Sequence, residues 1–110
     1  MILSTIRMII PRNNRAEALK ILSVIAEQCR DKNLGCIRCH IYEDLEEPNA
    51  LIIQEAWRTD KDLDVHIRSD EYRKLLLLLE MSSRQPEIQF DTISNSTGIE
   101  TIERARLHGR

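Results

Sequence analysis

Between Leu51 and Tyr72 the chain runs as a strand, starts a helix, and starts a helix again, and this order narrows the folds open to it. Leu51 to Arg58 is an extended apolar run ending in the only tryptophan, Trp57. Thr59 or Asp60 then caps a helix, and Ser69 with Asp70 offers a second start, so a break or kink is expected near Arg68. Five consecutive leucines, Leu75 to Leu79, follow. A helix packed on one side needs a stripe of only about 100°, so this run is expected to be buried on two sides.

The flanking segments fit the same plan. Ile2 to Ile10 is rich in β-branched residues and closed by Pro11, which makes it a strand. Asn14 with Glu17 forms a variant capping box. Ala16, Leu19, Leu22, Ile25, Ala26 and Cys29 recur at helical spacing, and Gly35, after Asn33-Leu34, ends that helix. Cys36 to Glu43 reads as a strand joined to the Leu51 strand by the polar turn Glu46-Glu47-Pro48-Asn49. Pro86 opens a fourth strand, Glu87 to Ser94. Thr97 with Glu100 begins a short amphipathic tail helix carrying Ile99, Ile102 and Ala105. The order β-α-β-β-α-β gives an α+β, ferredoxin-like fold with an antiparallel sheet over residues 1–97, and a tail over 98–110. Neither alternating set of the first or third strand is cleanly polar. A sheet apolar on both faces in so short a chain implies a homodimer that covers the open face. The tail stripe is too narrow to stand alone and is expected to dock on the body or on a partner.

At 110 residues there is room for one core. The net charge of −2, with both signs mixed, provides no basic footprint for nucleic acid and no polybasic patch for a membrane. The apolar start is interrupted by Arg7 and lacks a cleavage site, so it reads as a strand rather than a signal peptide, and the expected compartment is the cytoplasm. Three cysteines, an odd number, point to free thiols rather than a disulfide framework.

Cys36-Ile37-Arg38-Cys39-His40 matches the C-x-x-C-H pattern of haem attachment. In a strand, however, an odd separation sets Cys36 and Cys39 on opposite faces. There is no second axial ligand and no second pair for zinc, so the segment reads as inert, with Cys39 a small core hydrophobe. No glycine-rich phosphate loop is present, and no nucleotide cofactor or metal is expected. Trp57 can wall a pocket and donate its indole N–H to a ligand oxygen. His66, nine residues on, can serve as a general base near neutral pH. Glu55 shares a strand face with Trp57 and is expected to pair with a basic neighbour. Arg38 and His40 on the adjoining strand, together with Glu55 and Tyr72, complete the candidate ligand contacts.

Glu55-Ala56-Trp57-Arg58-Thr59, then His66 and Ser69-Asp70-Glu71-Tyr72, resemble the signature of the antibiotic biosynthesis monooxygenase family, and the likeness spans roughly residues 1 to 95. The resemblance implies a dimeric α+β barrel. It also implies one of several activities: cofactor-free oxygenation of quinols or anthrones, haem degradation, or isomerisation of small molecules. In the haem-degrading branch a Trp stands where this chain has His66, and the ligating His falls at Leu76, which disfavours haem. The polar residues of the anthrone branch are replaced by Ile53 and Leu63. What remains resembles the quinol-oxygenating members, with His66 and Trp57 as the catalytic pair and a small aromatic or quinol ligand. The alternatives are a non-catalytic dimeric ligand-binding module and an isomerase on the same scaffold.

Overall fold

The computed structural model describes residues 1–32 and 34–108, and the side chains of all of these except Asp31 and Lys32. Asn33, part of the expected helix stop, lies outside the described residues. The elements are β1 (Ile2–Ile9), a 3-10 turn (Arg12–Asn14), α1 (Arg15–Lys32), β2 (Cys36–Glu43), β3 (Ala50–Trp57), α2 (Asp60–Ile67), α3 (Asp70–Leu79), β4 (Glu87–Thr92) and α4 (Ile99–His108). The sheet order is β2-β3-β1-β4. Every pairing is antiparallel. This is the ferredoxin-like arrangement of two interleaved split βαβ units. No described helix is long and apolar enough to cross a membrane.

Register assigns the faces. Ile2, Ser4, Ile6 and Met8 on β1 lie opposite Trp57, Glu55, Ile53 and Leu51 on β3. All eight are buried under the helices. Ala18, Leu22 and Ile25 from α1, with Leu75 and Leu78 from α3, complete the core. The other sheet face is mixed rather than apolar, because Thr5, Arg7, Gln54, Arg38 and His40 fall there beside Leu3, Ile52 and Tyr42. Arg7 makes ion pairs on it with Asp44 at 3.2 Å and Glu87 at 2.9 Å.

The leucine run is covered on one side only. Leu75, Leu78 and Leu79 are buried, whereas Leu76 and Leu77 are 49% and 57% exposed. Within one chain the run is therefore half used. Ile88 and Phe90 of β4 are also exposed, and α4 buries none of its residues.

Local chemistry explains the element ends. The Thr59 side chain accepts from the Asp62 N–H at 3.1 Å, and the Ser69 hydroxyl accepts from the Tyr72 N–H at 3.3 Å. The two caps split α2 from α3 at Arg68, where the kink was expected. Asn14 and Glu17 do not form a capping box: the chain enters α1 through the 3-10 turn after Pro11, whose carbonyl accepts from the Asn14 N–H at 2.9 Å. Gly35 has φ +86°, and a Cβ there would collide with the Asp62 side chain. Only glycine meets both conditions without strain. Gly35→Ala should destabilise the fold by about 2 kcal/mol in urea titration, with part of the loss recovered by adding Asp62→Ala. Equal stability of wild type and Gly35→Ala would contradict this.

Candidate active site

Glu55 is the anomaly of the core. It lies two residues before the end of β3, an inner strand of the sheet, with a side-chain exposure of 1%. Its cross-strand neighbours on the helix-covered face are Ser4 on β1 and Cys39 on β2. Burying a carboxylate there is costly unless a partner compensates it. The partner comes from a helix rather than from β2: His66 Nε2 stands 3.0 Å from Glu55 Oε2. The contact is close but off-line, since neither atom meets hydrogen-bond geometry.

The Thr59 cap fixes where α2 begins, and about two turns later the helix delivers His66 over the end of β3. The His66 ring stacks on Trp57, with centroids 4.5 Å apart and planes 30° apart. Tyr72, set by the Ser69 cap, meets the other part of the ring edge-on at 5.1 Å. Trp57 Nε1 and Glu55 Oε1 are buried with no hydrogen-bond partner. The protein supplies neither atom with a partner, so a ligand of matching polarity can bond to both.

Of these groups, Glu55, Trp57 and His66 border a cavity of about 110 Å³. A dry cavity of about 150 Å³ accommodates benzene, so this one is on the scale of a single aromatic ring. Its floor is Glu55 and Trp57, and α2 contributes Val65 and His66. Its α1 side is Ile25, Gln28 and Cys29, and Leu34 lies at the turn into β2.

Cys29 also corrects the expectation of free thiols, because it is joined to Cys36 in a disulfide with a Cα–Cα distance of 5.4 Å. Both half-cystines line the cavity. The signal for this was legible only in hindsight. Cys29 lies in the last turn of α1, Gly35 turns the chain, and Cys36 opens β2, so the reversal brings the two together. The C-x-x-C-H segment is corrected too. The β2–β3 register shifts between Cys36 and Arg38, so Cys36 and Cys39 both point into the core rather than to opposite faces. Cys39 is a free, buried thiol.

Of the sequence-derived site residues, the fold brings together Glu55, Trp57, His66 and Tyr72. It does not bring Arg38 and His40 to them. Those two pair with Ala56 and Gln54 and stand exposed on the opposite sheet face, where His40 lies beside Tyr42. No cluster of three metal-ligating side chains occurs among the described residues.

The model of the family described as antibiotic biosynthesis monooxygenase matches residues 1–76. The chain belongs to that family. Among solved structures, it is similar to a candidate antibiotic biosynthesis monooxygenase of Deinococcus radiodurans, with TM-score 0.79 and 20% identity over 90% of this chain and 98% of that one. A protein of Mycobacterium tuberculosis superposes with TM-score 0.76 and 18% identity, over 88% of this chain and 98% of that one. A conserved protein of Methanosarcina mazei Go1 is 27% identical with TM-score 0.73, over 82% and 89%. No curated protein matches the chain significantly.

In this family member the buried carboxylate marks its surroundings. Burial, and then the Glu55 charge, push the Cys39 thiol from its ordinary 9.0 up to about 12. The same two causes, in the same order, push the Tyr72 phenol from 10.0 up to about 12. Both groups are held neutral in the fold and ionise more readily once unfolded. Their contribution to stability is therefore complete below pH 9 and declines as pH rises toward about 12. The urea midpoint should fall through that window, and the fall should be shallower in Cys39→Ala/Tyr72→Phe. An identical pH dependence in the double variant would show that these groups do not carry it.

Proposed function

We propose that this protein is a cofactor-independent monooxygenase acting on a quinol or other small phenolic substrate, with His66 as general base. One observation carries the reading: a ring-sized cavity is bounded by a histidine backed by a buried carboxylate, next to an unpartnered indole N–H.

The substrate ring would enter against Trp57, and a substrate hydroxyl would give its proton to the nitrogen of His66 turned away from Glu55. The positive charge then gained by the ring is met by the Glu55 carboxylate and by the indole face below it. The indole N–H would donate to a substrate oxygen, which becomes electron-rich on losing its proton. The substrate anion supplies all the electrons. A ring carbon bonds to one atom of O₂, and the O–O bond breaks. The distal oxygen leaves as water with the ring hydrogen and the proton returned by His66. Quinol plus O₂ thus becomes hydroxyquinone plus water, with atoms and electrons in balance. Glu55 and Tyr72 are positioning residues in this scheme.

We further infer a cytoplasmic homodimer. The exposed Leu76 and Leu77 on α3, Ile88 and Phe90 on β4, and the apolar stripe of α4 support it. An obligate interface of this kind exceeds about 2,000 Å² of total buried surface. Sedimentation at micromolar concentration should give the dimer mass, and a monomer would overturn this part.

Oxygen uptake with a panel of single-ring hydroquinones tests the activity. His66→Ala should reduce turnover by about 10²-fold or more while the fold is retained. Trp57→Phe, which keeps most of the ring volume and loses the donor, should raise KM more than it lowers stability. Uptake no faster than without protein, or an undiminished His66→Ala, would overturn the reading.

A further inference from the structure

We propose that the Cys29–Cys36 disulfide is a redox clasp on the ligand cavity: a small dithiol reduces it in the folded protein, and reduction opens the wall in front of Trp57. The inference does not depend on which ligand the cavity takes.

Position is the first argument. Both half-cystines line the same cavity as Trp57, Glu55 and His66, so the bond faces the space a small reagent can enter rather than the sealed part of the core. Cys36 lies directly across the sheet from Trp57.

Mechanics is the second. The bond ties the C-terminal part of α1 to the first residue of β2. Between them, Leu34 lines the cavity while remaining largely exposed. The backbone of this turn is fastened to the body by the Arg58 N–H donating to the Gly35 carbonyl at 2.8 Å. On the other side of Cys36 the ladder is interrupted by the bulge before Arg38. Beyond that hydrogen bond and the Cys36–Trp57 pairing, the disulfide is the restraint that holds Leu34 and Gly35 against α1, and its loss enlarges the freedom of those two residues.

The third argument concerns the remaining thiol. Cys39 is buried on the same sheet face but held protonated, its thiol pushed up to about 12 by burial and by Glu55. Thiol–disulfide exchange requires a thiolate. Cys39 therefore does not attack the bond from within, and the clasp waits for an external reductant. The chemistry balances: one thiolate of the dithiol attacks a cystine sulfur and breaks the S–S bond. Its second thiol then closes the reagent's own disulfide. Two electrons and two protons have passed to Cys29 and Cys36, which are left as thiols.

Trp57 is the only tryptophan, so its fluorescence reports on this wall without interference. The experiment measures acrylamide quenching of Trp57 in native protein before and after dithiothreitol, with native thiols counted in parallel. Reduction should release two thiols without unfolding and raise the quenching constant by about two-fold or more. Cys29→Ser/Cys36→Ser should show the raised constant from the outset and no response to dithiothreitol, while Cys39→Ala should respond like wild type. If the double variant does not fold, reoxidising reduced wild type with diamide must return the constant to its starting value. A bond that yields only when the protein unfolds, or a quenching constant that is the same in both states, would overturn the proposal and leave the disulfide a structural staple.

Discussion

The contact between Glu55 and His66 is the constraint around which the rest of the molecule is arranged. A carboxylate on an inner strand of a sheet, with 1% of its side chain exposed, has no place in a core built for stability alone. It is tolerated because α2 brings an imidazole to within 3.0 Å. That delivery depends on where α2 starts, which Thr59 sets, and on where it stops, which Ser69 sets. It depends also on the β1–β3 register, which turns Glu55 and Trp57 to the helix side together. A slip of one residue would send both to the other face. The consequences reach beyond the pair, since the Glu55 charge helps to hold Cys39 and Tyr72 neutral.

The same arrangement links the fold to its chemistry. A purely structural ion pair would fill its hydrogen-bonding capacity internally. Here Glu55 Oε1 and Trp57 Nε1 remain without partners, at the rim of a cavity the size of one ring. The fold thus carries a polar deficit where a ligand with a hydroxyl and a neighbouring oxygen would relieve it. Membership of the antibiotic biosynthesis monooxygenase family agrees with an oxygenase working in this space.

Much of this was readable in the chain, and the reasons are local. The caps at Thr59 and Ser69 depend on one side-chain oxygen and an N–H three residues away, a geometry short enough to be written in sequence. The strand order followed from where the apolar runs and turns fall, and E-x-W followed by His placed two of the cavity's walls. What escaped depends on contacts between elements. Glu55 was expected to pair with a basic neighbour, and that neighbour is His66 on α2, while Arg38 and His40 of β2 occupy the opposite face. A bulge broke the period of two on which the placement of Cys36 and Cys39 rested. An odd cysteine count concealed one disulfide plus one buried thiol. The leucine run read as doubly buried because sequence shows how much apolar surface a helix carries, not how much of it a single chain covers.

The claim that His66, held by Glu55, takes a proton from a phenolic ligand can be observed without turnover. Under nitrogen, a single-ring phenol whose anion has its own absorption band is mixed with the protein at a pH where the free phenol is neutral, and its spectrum is recorded. The anion band should appear on binding to wild type and be absent with His66→Ala. A phenol that binds wild type and keeps the spectrum of its neutral form would contradict the assignment.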